Sequence, residues 1–255
     1  MKKYSFLLLP LLILIAVSIY SGSKLLSYFL ESKRDEAEVE KIQKIVNVTN
    51  LSEPEISYDD KLQMAFRELT DINDEFVGWI KIEGTQIDYP VLKAKDNAFY
   101  LDKNIYKEYS KYGSIFMDMN NSMEPRSSNL IIYGHHMKDG KMFGDLMKYV
   151  DDDFYREHKY IEFNTVSDIA KYEIISVFKT SVYGSMSNEF PYYSYMDFGD
   201  EEGFISYIGE IKKLGLYDIE TDAKFGDSLI TLSTCEYTLE NGRLVIVARR
   251  LGVAN

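Results

Sequence analysis

From residue 77 onward the apolar residues come in short runs: "VGWIKI", "TQIDYPVL", "GSIFMD", "NLIIYG", "KYIEFN", "AKYEIISVFKTSVYG", "SLITLST" and "RLVIVARRL". Each is rich in β-branched and aromatic residues, and turn formers separate them. Many short strands with few helices leave two solutions, a barrel or a sandwich, because open sheet edges must be closed or covered. The chain has 255 residues, 45% of them hydrophobic and 27% charged. That suits one domain with a sizeable core and an extra segment.

Two helical patterns frame the β region. In "YDDKLQMAFRELTDIN", Leu62, Phe66, Leu69 and Ile72 share a face, and Asp59 and Asp60 occupy the first turn. Over 200–214 a second helix is expected, with an apolar stripe of Phe204, Ile205, Ile208 and Ile211. Asp200, Glu201 and Glu202 suit its start, Lys212 and Lys213 its end, and Gly215 its stop. A shorter helix is expected over 143–156.

The chain opens with Lys2 and Lys3, then an uncharged run from Tyr4 to Ser23. As a helix that run spans roughly 30 Å, about one bilayer core. It is longer than the apolar part of a signal peptide, and no clear A-x-A site follows it. The expected organisation is a cytoplasmic tip and membrane anchor over 1–23, a charged stalk or linker over 24–56, and an extracytoplasmic domain over 57–255. Lys2 and Lys3 favour a cytoplasmic N-terminus in a single-pass protein. A net charge of −12 argues against nucleic acid as the main partner.

The single cysteine, Cys235, ends the run "TLSTC". It cannot form an intrachain disulfide. With three histidines and no CxxC or HExxH spacing, no metal site is expected, and no cofactor either. Arg243 opens the next strand after "EYTLENG", so a hairpin would bring Arg243 and Cys235 to the same rim of the sheet. A guanidinium there could lower the thiol pKa or stabilise an oxyanion. His135 and His136 follow "NLIIYG" directly, at a strand end where catalytic residues are well placed. His158 lies in the charged run "DDDFYREHKY" and reads as an exposed surface histidine. On the residues alone, a Cys235–histidine dyad and an inert core cysteine both stand.

"TLSTC" matches the TLxTC signature of sortases, the cell-wall transpeptidases of Gram-positive bacteria. "NDEFVGWIKIEGTQIDYPVLKAKDNAFYL", "GSIFMD", "NLIIYGHHMKDGKMFGDL" and "TLSTCEY…RLVIVARR" follow in an order and spacing that resemble class B sortases, over roughly residues 60–252. The resemblance implies a mainly β fold, a closed sortase-like barrel with an N-terminal helix and one extra helix before the penultimate strand. It implies Cys235 as nucleophile, His135 rather than His136 as acid–base, and Arg243 as oxyanion stabiliser. It places Ser233, Glu236 and Asn97 along the substrate groove. Many class B members carry Asp after the "CE" pair, where this chain has Tyr237. The implied reaction cleaves a C-terminal sorting signal after Thr and passes the surface protein to a peptidoglycan amine, without calcium. A cysteine peptidase that resolves the thioester with water, and a non-catalytic wall-binding module, are the alternatives.

Overall fold

A computed structural model of the chain describes residues 5–47, 57–181, 190–236 and 241–252. The end of the expected linker, residues 48–56, and the end of the "SVYG" run lie outside the described residues. The chain divides into two compact units, Met1–Ile42 and Gln43–Asn255. Helix α1 (Ser5–Asn47) runs through the expected anchor and the charged segment after it without a break at residue 23. Among the described residues, α1 is the one helix long and apolar enough to cross a membrane.

The second unit is built on a closed barrel of β1 (Phe76–Lys81), β2 (Asp88–Leu92), β3 (Ile115–Met117), β4 (Asn129–Gly134), β5 (Tyr160–Asn164), β6 (Lys171–Ser181), β7 (Leu229–Glu236) and β8 (Gly242–Arg250). The spatial order is β1-β2-β3-β4-β7-β8-β6-β5, and β5 pairs with β1 to close the ring. Each expected apolar run supplies one strand. Two neighbours are parallel, β2 with β3 and β4 with β7. Parallel pairs need long crossovers. The β4–β7 crossover carries β5, β6 and the helices α3 (Asp152–Glu157) and α4 (Glu201–Lys213).

Helix α2 (Tyr58–Ile72) forms where its apolar period predicts. Ser57 caps it by accepting the Asp60 N–H at 3.1 Å. Leu62, Ala65, Phe66 and Leu69 are buried. Helix α4 covers the outer face of β4, β6, β7 and β8. Phe204, Tyr207, Ile208 and Ile211 pack there with Ile131, Ile175, Leu229, Val245 and Val247. The Ser176 hydroxyl donates to the Ile211 carbonyl at 2.6 Å and ties the end of α4 to β6. Leu244, Ile246, Ala248, Ile230 and Leu232 are also fully buried, so β7 and β8 are apolar on both faces. This explains why their sequences read as unbroken apolar runs rather than alternating ones.

Three expectations need correction. Ile205 is 61% exposed and belongs to the solvent face of α4. The buried stripe is 204, 207, 208 and 211, the spacing that a period of 3.6 demands, and Tyr207 takes the place assigned to Ile205. The helix expected over 143–156 is two elements, a 3₁₀ segment Gly144–Val150 and α3. Asp151, extended, ends the first and caps the second by accepting the Asp153 N–H. The β7–β8 ladder also runs one pair past Cys235, to Glu236 opposite Gly242, so the loop is shorter than the expected seven residues.

Gly78 lies where β1 meets β5 and leaves no room for a side chain. A Cβ there would sit 2.6 Å from the Asn164 carbonyl oxygen and 2.8 Å from the Phe163 ring. Gly78→Ala should therefore wedge β1 from β5 and cost about 1–3 kcal/mol, as overpacking does. Urea unfolding measures this directly. Wild-type stability in that variant would mean that β1 and β5 tolerate a methyl between them.

Candidate active site

The site begins as a matter of register. In the parallel β4–β7 pair, Tyr133 lies beside Ser233 and Gly134 beside Thr234. The next position on β7 is Cys235, and the next residue after β4 is His135. In the antiparallel β7–β8 pair, Cys235 lies directly opposite Arg243. The ladders thus bring His135, Cys235 and Arg243 into one row across three adjacent strands, whose axes lie about 5 Å apart. On the far side of β8, Thr180 of β6 lies opposite Arg243.

Local packing fixes how the chain leaves β4. A Cβ on Gly134 would sit 2.4 Å from Ile115 Cδ1 and 2.8 Å from the Phe143 ring, so only glycine lets these side chains close over the strand end. The Thr234 hydroxyl donates to the Gly134 carbonyl at 2.8 Å. The His135 carbonyl accepts the Phe143 N–H at 2.9 Å, which closes the neck of the loop that follows.

The His135 ring is half-buried, and its Nε2 lies 2.6 Å from the Leu101 carbonyl oxygen. A carbonyl only accepts, so Nε2 carries the proton. In the neutral ring Nδ1 is then the basic nitrogen. Leu101 ends a 3₁₀ turn, Phe99–Leu101, whose start is capped by Asp96 Oδ1 accepting the Ala98 and Phe99 N–H groups at 2.8 Å. Tyr100, in the same turn, is buried and donates to Glu75 at 2.5 Å. Burial, reinforced by Glu75, raises its pKa well above the usual phenol range.

The Arg243 guanidinium is half-buried and donates through Nη1 to the Gly242 carbonyl at 2.9 Å and the Asn241 carbonyl at 3.3 Å. Ser233 is 1% exposed, its hydroxyl 2.7 Å from that of Tyr192. Asn97 is held at both ends of its amide. Its Nδ2 donates to Asp118 at 2.9 Å, and its Oδ1 accepts the Met119 N–H at 2.8 Å. A groove of about 590 Å³ joins these groups, with His135, Arg243, Ser233 and Asn97 in its walls. Glu236 closes the β7 strand opposite Gly242.

The remaining candidates stand apart from the groove. His136 pairs with Met142 and lines a separate, shallower pocket. His158 stacks on Phe154 with centroids 4.2 Å apart, its Nδ1 bonded to the Phe154 carbonyl. Arg249 and Arg250 lie at the other end of β8, about 20 Å from Arg243, paired with Glu173 and Asp168. Among the described residues no group of three His, Cys, Asp or Glu could hold a metal ion.

Sequence reasoning missed the Leu101 carbonyl, Asp118, and the tyrosines 133, 192 and 193 that line the groove. Tyr133 was detectable, since it stands two residues before His135 and so shares its face of β4. A backbone carbonyl leaves no such trace.

The sortase-domain family model matches residues 80–251. The chain is 31% identical to sortase B of Staphylococcus aureus (strain NCTC 8325 / PS 47) over the whole of both proteins. It is 35% identical to sortase B of Listeria monocytogenes serovar 1/2a, over 96% of this chain and 97% of that one. The solved Staphylococcus aureus sortase B–substrate complex superimposes with a TM-score of 0.76 at 32% identity, covering 88% of this chain and 100% of that one.

The Tyr192–Ser233 contact gives a test of how firmly the groove wall is held. Tyr192→Phe removes one hydroxyl and leaves the buried Ser233 oxygen without that partner. The expected cost is about 1–2 kcal/mol of stability. An unchanged thermal midpoint would show that the pair contributes nothing to the wall.

Proposed function

This chain belongs to the sortase family as a class B cysteine transpeptidase, and we propose that Cys235, His135 and Arg243 carry its reaction. The observation that supports this most is the single row these positions form across the ends of β4, β7 and β8, with His135 and Arg243 in the walls of one groove. In this reading the Cys235 sulfur attacks the carbonyl of a Thr in a C-terminal sorting signal, and the thiol proton passes to His135. The C–N bond breaks, the imidazolium gives the proton to the leaving amine, and a thioacyl-enzyme remains. The incoming amine then attacks the thioester and loses a proton to His135, which regenerates the thiol. The Leu101 carbonyl, by holding Nε2–H, assigns this traffic to Nδ1. Arg243 stabilises the oxyanion in both steps. Ser233, Glu236 and Asn97 line the path of the peptide.

The substrates proposed are surface proteins bearing a sorting signal, and the acceptor is an amine of the peptidoglycan precursor. Residues 1–23 act as an uncleaved anchor with its N-terminus in the cytoplasm, 24–56 as a stalk, and 57–255 as the catalytic domain outside the cell. The apolar start of α1 supports the anchor.

The two adjacent histidines give a direct check. His135→Ala should lower turnover of a sorting peptide by about 10²–10⁴-fold. His136→Ala should lose far less. The reverse order in a cleavage assay would reassign the acid–base.

Transfer and hydrolysis share the thioester, so cleavage cannot tell them apart. Water at ~55 M loses to a millimolar amine only where the site orients that amine, an advantage that reaches many orders of magnitude in effective concentration. Adding a cell-wall amine should therefore yield ligated peptide and raise total turnover, both read by mass spectrometry. Hydrolysed peptide alone, with every amine tried, would leave a cysteine peptidase.

A further inference from the structure

Asp118 follows directly on β3 and is 3% exposed, yet its carboxylate belongs to the groove wall. Three neutral donors hold it. The Asn120 N–H reaches Oδ1 at 2.8 Å, and Oδ2 takes both the Asn97 amide and the Tyr133 hydroxyl at 2.9 Å. Asn97 and Tyr133 line the same groove. We propose that Asp118 is a positioning residue that sets the hydrogen-bond polarity of the groove's far end, by fixing which atoms of Asn97 and Tyr133 donate and which accept.

An ionised carboxylate accepts and cannot donate. Tyr133 must therefore donate its only hydroxyl proton to Asp118, so toward any other group its oxygen can only accept. Asn97 must turn Nδ2 toward Asp118, and the Met119 N–H confirms that orientation by meeting Oδ1 at 2.8 Å. Flipping the amide would set an oxygen against the carboxylate and an NH₂ against an N–H. One Nδ2–H of Asn97 then remains for another partner. The far end thus keeps one amide donor, and a phenolic oxygen that can only accept, in fixed roles.

Its place follows from the ladder. The Asp118 N–H bonds to the Ile131 carbonyl. Ile131 is four residues before His135, which puts Asp118 about 13 Å down the strand direction from the histidine, the length of about four extended residues. Asp118 would therefore act on a substrate residue several positions from the cleaved bond, in binding rather than in bond-making. This rests on the reading of the groove as the sorting-peptide site.

Asp118→Asn is the test, because it brings an N–H among groups that only donate toward it. The expected result is a rise in KM for a sorting peptide of about tenfold with a much smaller change in kcat. Tyr133→Phe should raise KM as well, and the double variant should be no worse than Asp118→Asn alone. Additive KM effects, or a parallel fall of kcat, would overturn the proposal. If Asp118→Asn fails to fold, Asn97→Ala replaces it in the same cycle, where non-additivity with Tyr133→Phe supports the shared anchor and additivity refutes it. Failure of the wild-type chain to cleave any sorting peptide would instead sink the transpeptidase reading, and alkylation of Cys235 would show whether the thiol was intact.

Discussion

The register of β7 between β4 and β8 is the constraint on which the rest depends. Side chains alternate along a strand, so a slip of one residue would send every groove-facing group to the opposite face. Two ladders of opposite sense hold β7 against such a slip, the parallel one to β4 and the antiparallel one to β8. Neither alone would align three residues from distant parts of the sequence. The thiol position lies 100 residues from His135 in sequence and one strand away in space.

The packing behind these strands keeps the register in place. Strands buried on both faces have no solvent side to which a slipped register could turn. Helix α4 supplies the outer cover for β7 and β8, and the barrel core supplies the inner one. At the rim, where cover thins, side chains take over the task. Thr234 bonds across to Gly134, and Ser233 meets Tyr192. The site is therefore placed where a rigid ladder ends and polar groups finish the alignment, which suits catalysis by pre-set geometry.

Much of this was legible in the sequence, for reasons that can be named. The eight strands were visible because β-branched and aromatic runs between turn formers have few other uses. The Cys235–Arg243 pairing was visible because a short loop forces antiparallel neighbours together. The adjacency of β4 and β7 was not, since a parallel pair joined by a long crossover leaves no local mark, and there the family resemblance took over from the residues. Ile205 was misplaced because an apolar residue one step off a helical stripe looks like a member of it. The split at Asp151 was missed because a capping aspartate inside an acidic run resembles its neighbours. Asp118 went unremarked as a strand-end charge, although a buried carboxylate always requires donors.

The bond from His135 to the Leu101 carbonyl has a consequence for genetics. The acceptor is part of the main chain, so every amino acid at position 101 supplies the same oxygen. An alanine scan would leave the carbonyl of position 101 untouched and register its effect at Asp96 or Tyr100, whose side chains shape the turn that carries it. The tautomer of the histidine is thus inherited through the path of the backbone rather than through any one codon. A chain with another residue at this position and the same backbone path would keep the same nitrogen protonated.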